Sequence, residues 1–152
     1  MKLIHYPNEI LREKTEKVEK IDKEIKDLIK EMKKIMIQNN GVGLAANQIG
    51  KNLSIFVAYD KNKFYTFINP EIVKFIGEAK TVEEGCLSLP KIWGQIKRYP
   101  GVVVEYQDLF GKKKKLKTRG LLAQIIQHEI DHLNGVLFID KAIEVYKIAD
   151  NS

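Results

Sequence analysis

Two of the three histidines in this chain of 152 residues, His128 and His132, stand four positions apart. In a helix this spacing places both rings on one face, where they can hold a single metal ion. Glu129 follows the first histidine directly and is close enough to exchange a proton with a water molecule on that metal. The segment therefore predicts metal binding, and the alternative is a polar cluster that is hydrogen-bonded within the core.

A catalytic metal usually has three protein ligands and one open position. The acidic residues after Gly135 have no ligand-like setting, whereas Cys86 lies upstream between a flexible glycine, Gly85, and a stiffening proline, Pro90. As the only cysteine it cannot form an internal disulfide, and its alternative role is that of a small buried apolar residue. We expect Cys86 to be the third ligand, bound as a thiolate.

A third segment, residues 41–48, combines two glycines and two alanines with a terminal amide on Gln48. The small side chains would let the backbone of a ligand approach closely, and the amide can donate to a carbonyl oxygen. Taken alone, the segment is a weak indication of a binding loop, and a tight packing point is the more common explanation.

These residues need a scaffold, and the clearest element is an N-terminal amphipathic helix predicted over residues 22–39. Asp22 is suited to its N-cap, and Asn39-Asn40-Gly41 would end it. The helical stripe consists of Ile21, Ile25, Leu28, Ile29, Met32, Ile35 and Met36.

The middle of the chain has the short β-branched and aromatic runs of strands, at residues 53–59, 64–68, 72–76, 102–106 and 113–118. A last helix is predicted from about residue 120 to Asn134, with His128 and His132 continuing the stripe of Leu121 and Ile125. The order of elements predicts an α+β fold, with mostly antiparallel sheets packed around a C-terminal metal-binding helix.

Composition is that of a globular chain, with 44% hydrophobic and 30% charged residues, and its length predicts one domain over residues 1–152. No apolar stretch is long enough for a membrane span and no export signal is evident, so we expect a cytoplasmic protein. The net charge of +6 comes mostly from lysines on solvated faces. The run 112–115 is expected to begin a solvated strand, with a weak anionic contact as the alternative.

Together the three segments are specific. Residues 41–48 match G-x-G-L-A-A-x-Q, residues 84–88 match E-G-C-L-S, and residues 128–135 match H-E-x-D-H-L-x-G. With these motifs, the chain resembles peptide deformylase from His5-Tyr6-Pro7 to about Asp140. Generic zinc peptidases share only the histidine pair.

The resemblance implies roles for individual residues. Cys86, His128 and His132 would bind the metal, and Glu129 would be the general base. Gln48 and the backbone N–H of Leu87 would form the oxyanion hole. The resemblance also implies a binding region for peptide, comprising the backbones of Val42, Gly43 and Gly85 and a methionine pocket at Val42, Val82, Leu121 and Ile125. Ordinary core packing is the alternative for the pocket residues.

The resemblance further implies Fe²⁺ as the metal, with Zn²⁺, Ni²⁺ or Co²⁺ able to replace it, and removal of the N-formyl group from the methionine of newly made polypeptides. The expected partners are formylated nascent peptides and a transient ribosome contact. We expect a monomer that binds neither membranes nor specific nucleic-acid sequences. The rival hypotheses are another metallo-amidase or peptidase, and a basic ribosome- or RNA-binding module with a structural metal.

The chain departs from the family pattern at two places. Some members carry an arginine shortly after the second motif, where this chain has Lys91-Ile92-Trp93, so contacts beyond the methionine are expected to differ. The segment after Asp140 is short, whereas some members dock on the ribosome through a longer C-terminal helix. Asp131, between the two histidines, is expected to support a ligand or cap the helix.

Overall fold

A computed structural model describes residues 1–148 of the chain. Its longest helix, α1, spans Lys23–Gln38, and the Asp22 carboxylate accepts a hydrogen bond from the backbone N–H of Ile25 at 3.1 Å. The helix ends at Asn39, and Asn40 adopts a left-handed conformation. The predicted helix, its N-cap and its stop are confirmed.

Within residues 1–148, eight strands form two antiparallel sheets. Their bounds are β1 Gly43–Ala45, β2 Ile55–Asp60, β3 Lys63–Ile76, β4 Lys80–Cys86, β5 Leu89–Arg98, β6 Gly101–Gln107, β7 Lys113–Arg119 and β8 Glu144–Lys147. The larger sheet has the order β1-β2-β3-β6-β7, and the smaller one has the order β4-β5-β8. The α+β class with antiparallel sheets is therefore confirmed.

One strand, β3, replaces the two that the sequence predicts at residues 64–68 and 72–76. The interruption at Asn69-Pro70 is a bulge, because the register against β6 shifts between Ile68 and Glu71. Asn69 has a left-handed backbone, and its side chain bonds to the backbone N–H and carbonyl of Val18. The side chain thus compensates for the broken ladder, and the strand continues.

The second long helix, α2, spans Leu121–Leu133 and packs on β1 and β2 of the larger sheet. Its buried apolar face forms one core cluster with Phe56, Phe67 and Val104. A one-turn helix, α3, spans Phe138–Lys141, and its Phe138 packs in the core of the smaller sheet. No helix in the described part of the chain is long and apolar enough to cross a membrane.

Candidate metal centre

Three side chains from two elements meet at one point. Cys86 is the last residue of β4, while His128 and His132 lie one turn apart on the buried face of α2. One ligand atom from each can be chosen so that all three lie within 4.8 Å of one another, and Cys86 Sγ is 3.2 Å from His132 Nε2. The predicted trio is therefore brought together.

The donor set fits a divalent metal ion. Metal–nitrogen bonds of about 2.0–2.1 Å and metal–sulfur bonds of about 2.3 Å place tetrahedral ligand atoms roughly 3.5 Å apart. The distance from Cys86 to His132 is close to that value. The Nδ1–H of His128 donates to the Glu84 carboxylate at 2.6 Å, which leaves its Nε2 for a metal.

Behind this histidine lies a buried network of charges. Arg98 donates to both carboxylate oxygens of Glu84, at 2.7 and 2.9 Å, and to Asp131 at 2.7 Å. Asp131 also accepts from the Lys141 ammonium at 3.0 Å. Asp131 is connected to His128 only through Arg98 and Glu84, so the expectation that it supports a ligand stays a prediction.

Burial and this network set the ionisation of the histidines in opposite directions. Burial lowers the pKa of His128, but hydrogen bonds with Cys86 and Glu84 outweigh burial and leave that pKa well above its ordinary value. Burial, helped by the charge on His128, lowers the pKa of His132 well below its ordinary value. His132 is therefore neutral before a metal arrives, whereas His128 must lose a proton to bind one.

The Glu84 carboxylate gives an expected pH dependence of stability. Burial alone would raise its pKa, but hydrogen bonds from Arg98 and His128 lower it to about 2. A lowered folded pKa contributes stability above the unfolded value of about 4.3, and this stability is lost as pH falls toward 2. The contribution is on the order of 3 kcal/mol at neutral pH.

The free energy of unfolding of the metal-free protein, measured with denaturant, should therefore fall less between pH 5 and pH 2 for Glu84→Gln than for wild type. Equal decreases in the two proteins would contradict this account. The exposed Glu24→Gln serves as the control.

Glu129 lies beside the trio, almost fully buried, and burial raises its pKa to about 7. Its Oε1 has no hydrogen-bond partner in residues 1–148. A Cβ added to Gly43 would stand 2.6 Å from its Oε2, so the glycine leaves the space that the carboxylate occupies. A buried carboxylate with a free oxygen and a pKa near neutrality is suited to proton exchange.

Gln48 faces the trio from a short 3₁₀ turn, Ala46–Ile49, directly after β1. Its Oε1 accepts from the backbone N–H of Ala45 at 2.9 Å, which fixes which end of the amide points inward. Its Nε2 donates to Ser88 Oγ at 3.0 Å and lies 3.6 Å from Cys86 Sγ. The amide donor is therefore aimed at the metal centre.

A cavity of about 620 Å³ opens onto these residues. Most of the predicted substrate-binding residues line it, namely Val42, Gly43, Gly85, Leu121 and Ile125, and so does Leu87, the predicted backbone donor of the oxyanion hole. Val82 does not. It lies two positions before Glu84 on the same face of β4, and that position packs against Leu89 and Ile96 in the core of the smaller sheet instead.

The sequence did not predict the structural role of Arg98. Its partners Glu84 and Asp131 are 14 and 33 positions away, so no local spacing connects them. The only available signal was an arginine in a strand-like stretch between two acidic segments, which is too common to be specific.

An α+β fold in which a thiol and two imidazoles converge beside a buried carboxylate defines a metal-dependent hydrolase. The sequence model described as Polypeptide deformylase matches residues 1–147. The peptide deformylase of Dictyoglomus turgidum is 47% identical over 142 residues, which cover 93% of this chain and 92% of that protein. That of Desulforudis audaxviator is 43% identical over 146 residues, or 95% of each chain.

Solved structures agree. The peptide deformylase of Thermotoga maritima superposes with a TM-score of 0.90 at 38% identity, covering 93% of this chain and 96% of that one. The enzyme of Synechococcus elongatus, in complex with actinonin, gives 0.91 at 38% identity over 93% and 78% of the two chains. The chain belongs to the peptide deformylase family, and its activity is removal of the N-formyl group from newly made polypeptides.

Proposed function

We propose that Cys86, His128 and His132 hold Fe²⁺ in this enzyme and that Glu129 exchanges the protons of the reaction. The observation that carries this proposal is the convergence of three ligand atoms within 4.8 Å beside a buried carboxylate with a pKa of about 7. Thiolate and imidazole ligands also suit Zn²⁺, Ni²⁺ and Co²⁺, which we expect to substitute. When bound, the metal would acidify a water molecule and polarise the formyl oxygen.

The side chains account for the remaining requirements of amide hydrolysis. Glu129 accepts a proton from the attacking water as the new bond to the formyl carbon forms. Negative charge then develops on the formyl oxygen, where Gln48 Nε2 and the backbone N–H of Leu87 donate hydrogen bonds. Glu129 returns its proton to the amine nitrogen as the carbon–nitrogen bond breaks, which releases formate and a free N-terminus.

Two free sheet edges explain how the peptide would be held. β1 is the edge strand of the larger sheet and β4 the edge strand of the smaller one, and both contribute residues to the cavity. An extended peptide between them can pair with the backbones of Val42, Gly43 and Gly85 as an added strand. The methionine side chain would then lie against Ile125, Leu121 and Val42.

The activity is tested by substrate choice. Purified protein loaded with Fe²⁺ without oxygen should release formate from formyl-Met-Ala, and it should not cleave acetyl-Met-Ala or an internal peptide bond. A preference for either of the latter would show a different metallo-amidase or peptidase. Metal analysis of protein purified without oxygen from its native cells would identify the bound ion.

The same proposal places the enzyme in the cytoplasm, as a monomer that contacts the ribosome transiently. A groove of about 800 Å³ between β6, β7 and residues 14–17 supports the ribosome contact. Five lysines line it: Lys14, Lys17, Lys113, Lys114 and Lys115. Two acidic residues, Glu71 and Glu105, also line the groove. Because the lysines outnumber them, the net charge of the groove is positive and suits the phosphates of RNA.

Neutralising the groove should weaken ribosome binding without changing catalysis. The triple variant K113Q/K114Q/K115Q is expected to lose affinity for ribosomes in sedimentation assays, with a shallower salt dependence, because fewer phosphates are neutralised. Its rate on free formyl-Met-Ala should equal that of wild type. The matched control K23Q/K30Q/K34Q removes the same charge from exposed positions on α1. Equal loss of affinity in both variants would contradict a contact at the groove.

A further inference from the structure

The outer face of the smaller sheet carries an aromatic and acidic surface at the rim of the cavity. Side chains alternate along a strand, so Glu84 and Cys86 face inward while Glu83 and Gly85 face outward. On the next strand, Trp93 is the cross-strand partner of Gly85. Trp93, Glu83 and Gly85 all line the cavity, but none of them is part of the proposed proton exchange.

The indole ring of Trp93 lies across Gly85 toward the free edge of β4. A Cβ added to Gly85 would meet three ring carbons at 3.0 to 3.1 Å. Three nearly equal distances mean that the flat face of the ring covers the glycine. The absence of a side chain at Gly85 therefore lets Trp93 reach the edge along which the peptide would lie.

A carboxylate stands beside this ring. Glu83 is exposed and lies next to Gly85 on the same face, and its carboxylate interacts with the Tyr146 hydroxyl and raises the pKa of the tyrosine. Tyr146 is the cross-strand partner of Trp93 on β8, so the three side chains occupy adjacent positions on three strands. An aromatic face beside a carboxylate favours a cationic group.

Strand alternation identifies the part of the substrate that reaches this surface. If the methionine side chain points inward to Ile125, the side chain of the second residue points to the outer face. We propose that Trp93 and Glu83 form a binding site for a lysine or arginine side chain at the second position of the substrate. This inference rests on the proposed function, since it requires the peptide to pair with β4.

The test compares three substrates that differ only at the second residue: formyl-Met-Lys-Ser, formyl-Met-norleucine-Ser and formyl-Met-Glu-Ser. The lysine peptide should have the highest kcat/KM, about three- to tenfold above norleucine, and the glutamate peptide the lowest. Equal values would overturn the inference. Preference for glutamate would also overturn it and would indicate Lys91, which lines the same cavity.

Two variants separate the contributions of Trp93 and Glu83 to the preference for lysine. Trp93→Leu should reduce the ratio of lysine to norleucine, leaving only the part that Glu83 contributes, and Glu83→Gln should reduce the ratio of lysine to glutamate. Glu78→Gln removes an exposed carboxylate outside the smaller sheet and should leave both ratios unchanged. A wild-type preference for lysine that survives both Trp93→Leu and Glu83→Gln would show that the site lies elsewhere.

A second readout does not depend on turnover. Trp93 is the only tryptophan in the chain, so intrinsic fluorescence reports directly on its surroundings. Titration with the product Met-Lys-Ser should change this emission at lower concentrations than titration with Met-Glu-Ser, and equal midpoints would contradict the site. If no formyl peptide is hydrolysed, the proposed function fails. If all are hydrolysed equally, only the inference about Trp93 fails.

Discussion

Glu129→Gln is expected to lower kcat/KM for formyl-Met-Ala by about 10²–10⁴ while the bound metal stays at one per chain. The substitution keeps the size of the side chain, and the space beside Gly43 is filled as before. It removes only the ability to accept and return a proton. Because burial raises the pKa of this carboxyl to about 7, glutamate can do both near neutral pH, whereas an amide can do neither.

Formate release and metal content should be measured on the same protein samples. Glu24→Gln is the control, because it makes the same chemical change on an exposed turn of α1. Loss of metal together with activity would assign Glu129 to metal binding rather than to proton exchange. Full activity with retained metal would show that a group other than Glu129 exchanges the protons of the reaction.

Arg98→Met is expected to cost about 3–5 kcal/mol in the free energy of unfolding, since it leaves the buried Glu84 and the partly buried Asp131 without their shared partner. Glu84 then loses the group that holds it against His128, so metal affinity should fall about 10- to 100-fold. The expected losses of stability and of metal affinity both depend on the ion pair between Arg98 and Glu84. Denaturant unfolding of the metal-free protein measures the first, and metal titration measures the second.

The chain provides a matched control in Arg12. It also forms an ion pair with an aspartate, Asp140, but both side chains are more than one-third exposed. Exposed pairs typically contribute less than about 1 kcal/mol, so Arg12→Met should have little effect on unfolding and none on metal affinity. If both variants were destabilised equally, the network behind His128 would have no special role.

The helical parts of the site were predictable because their periodicity is local. Capping by Asp22 and the i, i+4 spacing of the histidines are read within a few residues. That Cys86 joins the two histidines was predictable only from the family resemblance and because no acidic residue after Gly135 has a ligand-like setting. Cys86 ends a strand and the histidines lie on a distant helix, so no local spacing connects them.

The strands of the smaller sheet were not predicted from the sequence, because residues of the metal centre interrupt their apolar and polar alternation. β4 and β5 should alternate apolar and polar residues, but the inward positions of β4 include Glu84 and Cys86, which serve the metal centre. Functional residues thus replace the pattern that marks a strand. The structural role of Arg98 could not be predicted for a similar reason, because it depends on contacts with Glu84 on β4 and Asp131 on α2.

The order of strands in the smaller sheet has a consequence for how the enzyme is made. β5 pairs on one side with β4, which ends at Cys86, and on its other side with β8, the last strand that the structure describes. Ribosomes synthesise a chain from its N-terminus, so the sheet that carries the thiol can close only after residues 144–147 have emerged. An enzyme that acts on unfinished polypeptides is therefore expected to become active only after its own residues 144–147 have been made.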